Sequence, residues 1–431
     1  METALVLIVV MLATLAIAWL PARKEAVALV AVAVLLSVGH LHGFFPADKA
    51  FASISLPVLL ILLSIGIFAT VFAESGAFER ACRFIAIAAR GRQRVLVPGF
   101  LLLTYLLSSL LPNLTCLHVL LPVMLGSLRA VGMGDQALKQ TLVALVIASN
   151  LGGASTMIGD FPNILISRSQ GIPFMDFIAW MMPACVLLLG VLYLLIWRGN
   201  GGRREAPPVA LGLLTEMLRQ QSRHLRVDLR LFLPACGTFL LLLAGLIFTG
   251  WNPFPPELVC LGAACLCIWL LPEPEKWATK VDVASALFIA CLFLFAGGIQ
   301  ATGVLNRLAG FVIELCAGDP RLLSAALIVL AAGLTAGFSA GPTTAVLIPI
   351  AETLKDQLPG HLEWWALSLG VLAGSSTTLL SATAGPIAAN LLKRQTGLEL
   401  SYGDFLRLGL RSGVWFTLGA IAYVWARLRF G

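Results

Sequence analysis

The sequence predicts an all-α, polytopic membrane protein made of two inverted-topology repeats, and three observations carry that prediction. The 431 residues are 59% hydrophobic and only 12% charged, with a mean hydropathy of +0.94, far more apolar than a soluble globular chain. One apolar stretch, Ser149 to Leu165, is interrupted by glycines, hydroxyls, two asparagines, a carboxylate and a proline. Finally, the chain matches itself at an offset of 227 residues, which pairs Gly76 with Gly303, Arg80 with Arg307, Pro122 with Pro349, Ser149 with Ser376, Thr156 with Thr383 and Asn163 with Asn390.

The elements follow from the apolar runs. Thr3 to Leu20 and Ala26 to Val38 predict N-terminal membrane helices over 1–53. The first run has no basic start and a second run follows at once, so it reads as a retained helix rather than a cleaved signal. Ile54 to Ala73, Val95 to Leu111 and Phe174 to Trp197 fall in a first repeat, 54–197. The segment 198–230 holds seven arginines against Glu205, Glu216 and Asp228 and reads as a basic cytoplasmic loop. Linking membrane helices fill 231–280, and a second repeat occupies 281–431. The shorter runs imply re-entrant hairpins or extension into their flanks.

Charge distinguishes the two repeats. Glu74 to Arg94 carries five arginines against two glutamates, whereas its counterpart Ala301 to Arg321 carries two arginines against Glu314 and Asp319. Basic loops stay in the cytoplasm, so matching loops would face opposite sides, as an inverted repeat requires. A parallel duplication, or none, is the alternative. The net charge of +7 is accounted for by these loops and implies no nucleic-acid partner. The cysteines lie mostly inside apolar segments, and Cys260, Cys265 and Cys267 match no zinc spacing, so they read as packing residues and no metal site is expected.

Four polar elements carry the expected chemistry. The first hairpin is Pro112-Asn113-Leu114-Thr115, and its partner is Ser339-Ala340-Gly341-Pro342 with Thr343 and Thr344. The first helix break runs through Ser149, Asn150, Gly152, Gly153, Ser155, Thr156, Asp160, Pro162 and Asn163; the second runs through Ser375, Ser376, Thr377, Thr378, Thr383 and Asn390. Irregular polar backbone survives at membrane depth only inside protein or beside water. Hydroxyl, amide and carbonyl oxygens suit Na⁺, while free N–H groups at half-helix starts suit an anion. Asp160 is the carboxylate in the middle of a broken span, a costly placement that marks a candidate for cation or proton coupling. The alternative is a capping role at a half-helix N-terminus. Gly337-Phe338-Ser339-Ala340-Gly341 matches the nucleophile elbow of hydrolases, yet that motif needs a strand before it, and here an apolar helix precedes it. Trp364 and Trp365 read as interfacial anchors.

At these motifs the chain resembles the ion transporter superfamily of arsenite permeases, P-proteins, divalent anion/Na⁺ symporters and citrate transporter-like proteins. The stretch Ser149 to Asn163 is similar to the signature of the arsenite-permease/P-protein branch, and, with Met181 to Cys185 and Trp364 to Gly385, to a magnetosome-membrane branch. The resemblance implies a scaffold domain, a transport domain with two re-entrant hairpins, an elevator-like motion and a homodimer. It departs at the Ser-Asn-Thr hairpin motif of the dicarboxylate symporters, of which only Asn113 and Ser339 survive.

These readings converge on a non-enzymatic secondary transporter of the bacterial inner membrane, with a magnetosome membrane as the other residence implied by resemblance. It would move an inorganic ion or small anion by H⁺- or Na⁺-coupled antiport, with Na⁺-coupled symport of a divalent or carboxylate anion as the alternative. A channel or an intramembrane hydrolase is the rival from another class. No nucleotide-binding loop is present, so gradients would drive transport. No cofactor is expected beyond Na⁺ or H⁺ as coupling ion, and the bilayer and the transported ion are the expected partners.

Overall fold

The first apolar helix that can be followed without interruption, α1 (Lys24–Leu41), leads through the short α2 (Ala47–Ala52) into the first repeated unit. The computed structural model describes residues 24–199, 226–248 and 254–430, with scattered positions among the first twenty. Most of the predicted basic loop, 200–225, and most of the Thr3 to Leu20 run lie outside the described residues.

Seven helices make the first unit: α3 (Leu56–Glu74), α4 (Ala77–Ala88), α5 (Gln93–Ser108), α6 (Asn113–Ala130), α7 (Asp135–Ala154), α8 (Phe161–Gln170) and α9 (Phe174–Gly199). After α10 (Leu229–Ile247), α11 (Pro256–Leu270) and the short α12 (Pro274–Ala278), the same order returns. It runs α13 (Val283–Ala301), α14 (Val304–Leu315), α15 (Pro320–Phe338), α16 (Ala340–Leu354), α17 (Leu362–Ser375), α18 (Gly385–Thr396) and α19 (Tyr402–Phe430). The starts Leu56 and Val283, Ala77 and Val304, Gln93 and Pro320, Asn113 and Ala340, and Asp135 and Leu362 are all 227 residues apart. Even the joints repeat. Gly76 and Gly303 both adopt left-handed φ, at 75° and 68°, where α3 turns into α4 and α13 into α14.

Seven segments among the described residues are long and apolar enough to cross a membrane. Large apolar side chains on α5, α9 and α10, such as Leu102, Leu187, Leu194 and Leu240, are exposed. That is expected of faces whose solvent is lipid. By contrast α7 is buried along nearly its whole length, from Thr141 to Ala154, and α17 is buried from Leu362 to Ser375. These two helices form the centre, α5 packing on α7 and α15 on α17, while α7 also contacts α17.

Both predicted interruptions are present. Helix α7 stops at Ala154 and α8 begins at Phe161; α17 stops at Ser375 and α18 begins at Gly385. At 1.5 Å per residue, the 10-residue α8 and 12-residue α18 are only about 15 and 18 Å long, roughly half of a ~30 Å hydrocarbon core. The hairpin helix of each unit packs on the half-helix of the other, α6 on α18 and α16 on α8.

The tryptophan pair requires a correction. Trp364 and Trp365 are 0% and 3% exposed, not interfacial. Trp365 stacks on Trp180 of α9 at 5.3 Å and 7° and meets Phe177 edge-on at 5.5 Å, and the Arg427 guanidinium of α19 lies 4.3 Å over Trp180. Adjacent bulky aromatics mark a membrane interface only when the helix carrying them faces lipid, and α17 is enclosed.

Candidate ion-binding site

The first break is held open by its own side chains. Asn163, in the first turn of α8, donates through Nδ2 to the carbonyls of Gly153 (3.0 Å) and Thr156 (3.1 Å), and its Oδ1 accepts from Ser368 Oγ of α17 (2.9 Å). Ser155 Oγ lies 2.7 Å from the Tyr105 hydroxyl and 2.9 Å from the Leu151 carbonyl, Ser149 pairs with Ser108 at 3.0 Å, and Thr156 donates to the Ser109 carbonyl. Backbone groups freed by the break are thereby satisfied inside the protein. Close approach is built in by glycine: a Cβ on Gly152 would lie 2.2 Å from the Tyr105 carbonyl oxygen, and one on Gly153 would lie 2.6 Å from Asn113 Oδ1.

The second break is built differently. Ser381 Oγ donates to the Gly374 carbonyl (2.9 Å) and accepts from Thr378 N (3.1 Å), while Thr378 Oγ1 donates to the Ala336 carbonyl (3.0 Å). The two breaks touch where Asn150 Nδ2 donates to the Ser375 carbonyl at 2.9 Å.

Both hairpin tips and both breaks meet at one cavity of about 220 Å³, lined by Asn113 and Thr115, by Asp160 and Pro162, by Ser339 and Gly341, and by Thr383. Asp160 caps α8: Oδ1 accepts from Phe161 N at 2.9 Å, and Oδ2 accepts from Asn113 Nδ2 at 3.2 Å. Asn113 is 2% exposed, and its Oδ1 has no hydrogen-bond partner among the described residues. Ser339 sits at the other tip with φ at 92°, a region a side chain rarely occupies and a form of strain that concentrates at functional sites.

Four helix N-termini, those of α6, α8, α16 and α18, therefore open at or beside the cavity. Only α8 carries a side-chain cap; the other three have none. Each contributes partial positive charge, on the order of half an elementary charge, and unfilled N–H groups. The cavity also reaches residues to which the sequence assigned no role: Gly66 and Thr70 on α3, and Asp282 and Ser285 at the start of α13. Asp282 Oδ1 accepts from Ser285 N at 3.0 Å, so the Asp-x-x-Ser spacing before an apolar run was legible as a cap but not as a cavity wall. Among the described residues, no Lys, Arg or His lines the cavity.

Other expected site residues stand back from it. Ser149, Asn150, Gly152, Gly153, Ser155, Thr156 and Asn163 form the scaffold just described. The hydroxyls of Ser375, Ser376 and Thr377 return to the carbonyls of their own helix, at Leu372, Leu372 and Ala373, and Thr344 returns to Ala340. Thr343 is buried with its hydroxyl unpartnered among the described residues. Asn390 is exposed on α18, outside the cavity.

A second cavity, about 300 Å³, lies along the same helices. It takes Ser53 to Val58 at the beginning of α3 and Phe293 to Gln300 at the end of α13, whereas the first takes Leu62 to Thr70 and Asp282 to Leu292.

An all-helical membrane bundle whose hairpins and broken helices converge on one cavity with carboxylates in its wall is the architecture of a transporter. Known proteins place it further: the family model for citrate transporters matches residues 5–370, so this chain belongs to the citrate transporter family. It is 30% identical over 428 residues to the magnetosome protein MamN of Magnetospirillum gryphiswaldense, covering 96% of this chain and 97% of that one. An uncharacterized transporter of Mycobacterium tuberculosis is 30% identical over 420 residues, 94% of each chain. The P protein of Sus scrofa is 26% identical over 83% of this chain and 51% of its own length. Among solved structures, the YdaH transporter of Alcanivorax borkumensis, described as having an unusual topology, superposes with a TM-score of 0.52 at 16% identity, covering 91% of this chain and 88% of that one. The chain is thus a multi-pass inner-membrane transporter rather than an enzyme.

Proposed function

We propose that this transporter is a secondary carrier of an inorganic ion or small anion that couples movement to H⁺ or Na⁺ in antiport, with Asp160 as the coupling group. The observation that carries this reading is the charge of the cavity wall: Asp160 and Asp282, with no basic side chain among the described residues. A carboxylate held by one N–H and one amide keeps lone pairs free for a cation, and the unpartnered Asn113 Oδ1 supplies a neutral oxygen beside it. Na⁺-coupled symport of an anion is the second reading. The three uncapped helix N-termini favour it, since freed N–H groups and dipole ends suit an anion.

The two cavities support an inverted repeat. Equivalent helices α3 and α13 pass them in opposite senses: the N-terminal end of α3 and the C-terminal end of α13 share the second cavity. A transport domain carrying α5 to α8 and α15 to α18 would then move against a scaffold, and two copies would dimerise through that scaffold, as the family resemblance implies. Flux into proteoliposomes under imposed Na⁺ or H⁺ gradients, with arsenite, sulfate and dicarboxylates offered in turn, tests the reading. Antiport predicts that an imposed gradient drives counterflow of the cargo; co-directional flux of Na⁺ and an anion would replace it with symport, and conductance far above carrier turnover would overturn both.

A further inference from the structure

The two cavities are arranged back to back. Four helices line both, each with neighbouring residues or turns: Leu62 then Val58 on α3, Ile164 then Leu165 on α8, Leu292 then Phe293 on α13, and Pro342 then Ala345 on α16. Apolar side chains from the two walls meet between them. Phe161 meets Phe293 edge-on at 6.3 Å and 82°, and Ile164, Leu165 and Leu292 beside them are all buried. A dry apolar constriction between two wider polar spaces excludes ions by dewetting.

Beyond that layer the lining becomes polar again. Arg168, in the last turn of α8, and Gln300 and Glu352 face the second cavity. Arg168 Nη2 donates to Glu257 Oε1 of α11 at 3.1 Å, yet the buried Arg168 Nε and Glu257 Oε2 have no partner among the described residues. An Arg–carboxylate pair commonly makes two parallel bonds, and unsatisfied buried groups of this kind call for an explanation. The Arg168 side chain is 25% exposed and borders the second cavity, and a guanidinium has five donors, so it can meet a passing ion without giving up its bond to Glu257.

We propose that the second cavity is the opposite-side vestibule of the ion path, closed from the Asp160 cavity by the Phe161, Leu165, Leu292 and Phe293 layer, and that Arg168 is its ion-contacting selectivity residue. This rests on the cavity at Asp160 being the transport site. Alternating access then carries the Asp160 cavity on α8 past Leu292 and Phe293 of α13, so that the site is sealed from the second cavity in this conformation and opens to it in another. Arg168 and Asp160 stand at the two ends of α8, eight residues or about 12 Å apart along its axis, so one short half-helix presents opposite charges to the two sides.

Thiol labelling in oriented membrane vesicles tests this. Thr70→Cys in the first cavity and Ala296→Cys in the second are each reacted with a membrane-impermeant maleimide from either face, against the native chain, whose described cysteines line neither cavity. The two positions are expected to react from opposite faces; reaction from the same face, or an Ala296→Cys that reacts from neither, overturns the vestibule. Adding Arg168→Gln to Ala296→Cys should lower severalfold the ratio of labelling by an anionic to a cationic thiosulfonate. An unchanged ratio removes Arg168 from the path. Phe293→Ala should raise passive proton leak in proteoliposomes at least about tenfold, the effect of a barrier lower by ~1.4 kcal/mol, while Phe293→Leu keeps the layer closed. Leak equal to the native protein in both refutes the barrier. If Asp160→Asn abolishes coupled flux while these results fail, the vestibule falls and the transport site stands.

Discussion

Replacing Asn163 by alanine should disassemble the first break. The side chain bridges three places at once, the carbonyls of Gly153 and Thr156 and the hydroxyl of Ser368 on the other repeat, and it is 3% exposed. Alanine leaves two buried acceptors and one buried hydroxyl without their partner, at about 1–3 kcal/mol each. Because they share one network the losses are not simply additive, and a total of roughly 3–6 kcal/mol follows, a large part of the 5–15 kcal/mol that typically holds a protein folded. Ser368→Ala removes one of those bonds and should cost about 1 kcal/mol. Asn390→Ala, at the matching position of the second repeat, should be neutral within about 0.5 kcal/mol, since Asn390 is exposed. Thermal unfolding of detergent-purified protein, followed by size-exclusion profile, ranks the three. If Asn163→Ala melts no earlier than Ser368→Ala, the break is not held by this side chain and the reasoning fails.

Gly152→Ala would push a methyl to 2.2 Å from a backbone carbonyl of α5 and should destabilise at or above the upper end of the ~1–3 kcal/mol usual for overpacking, whereas Gly190→Ala, with open space around it, should be neutral or stabilising by up to about 1 kcal/mol; melting temperatures in one detergent compare them. Ser339→Gly should relieve a φ of 92°, raising stability by about 1 kcal/mol, while flux falls because a hydroxyl leaves the cavity; lower stability would show the backbone to be unstrained. Lys139 Nζ to Asp404 Oδ2, at 2.9 Å and 19% and 14% exposed, ties α7 to α19, and a double-mutant cycle on unfolding should give coupling of about 1 kcal/mol. The exposed pair Lys393 and Glu399 should give none that can be measured.

Much of this fold could be read from residue order because membrane depth leaves few options: an apolar run that turns polar at Gly152, Asp160 and Pro162 has to break, and self-similarity located the second break and both hairpin tips. What could not be read was direction. Ser375, Ser376 and Thr377 looked like ligands by composition, but a helical hydroxyl can return to the carbonyl three or four residues back, and these do. The asparagines matched at 163 and 390 part company because one faces α17 and the other faces outward, a matter of packing that an offset cannot carry. Trp364 and Trp365 were misplaced for the same reason. Thr70, Asp282 and Arg168 gave no signal as cavity residues, since the cavities are assembled from helices of both repeats, the first drawing on residues as distant in the chain as Leu62 and Thr383.

The most direct test is gradient-driven flux of Asp160→Asn in proteoliposomes. Asparagine keeps an oxygen to accept from Phe161 N and caps nearly as well as aspartate, so the variant should purify and melt like the native protein. It should lose flux driven by a pH or Na⁺ gradient, because the charge that holds the coupling ion is gone. Gradient-driven flux at the native rate would contradict the account and leave Asp160 as a helix cap.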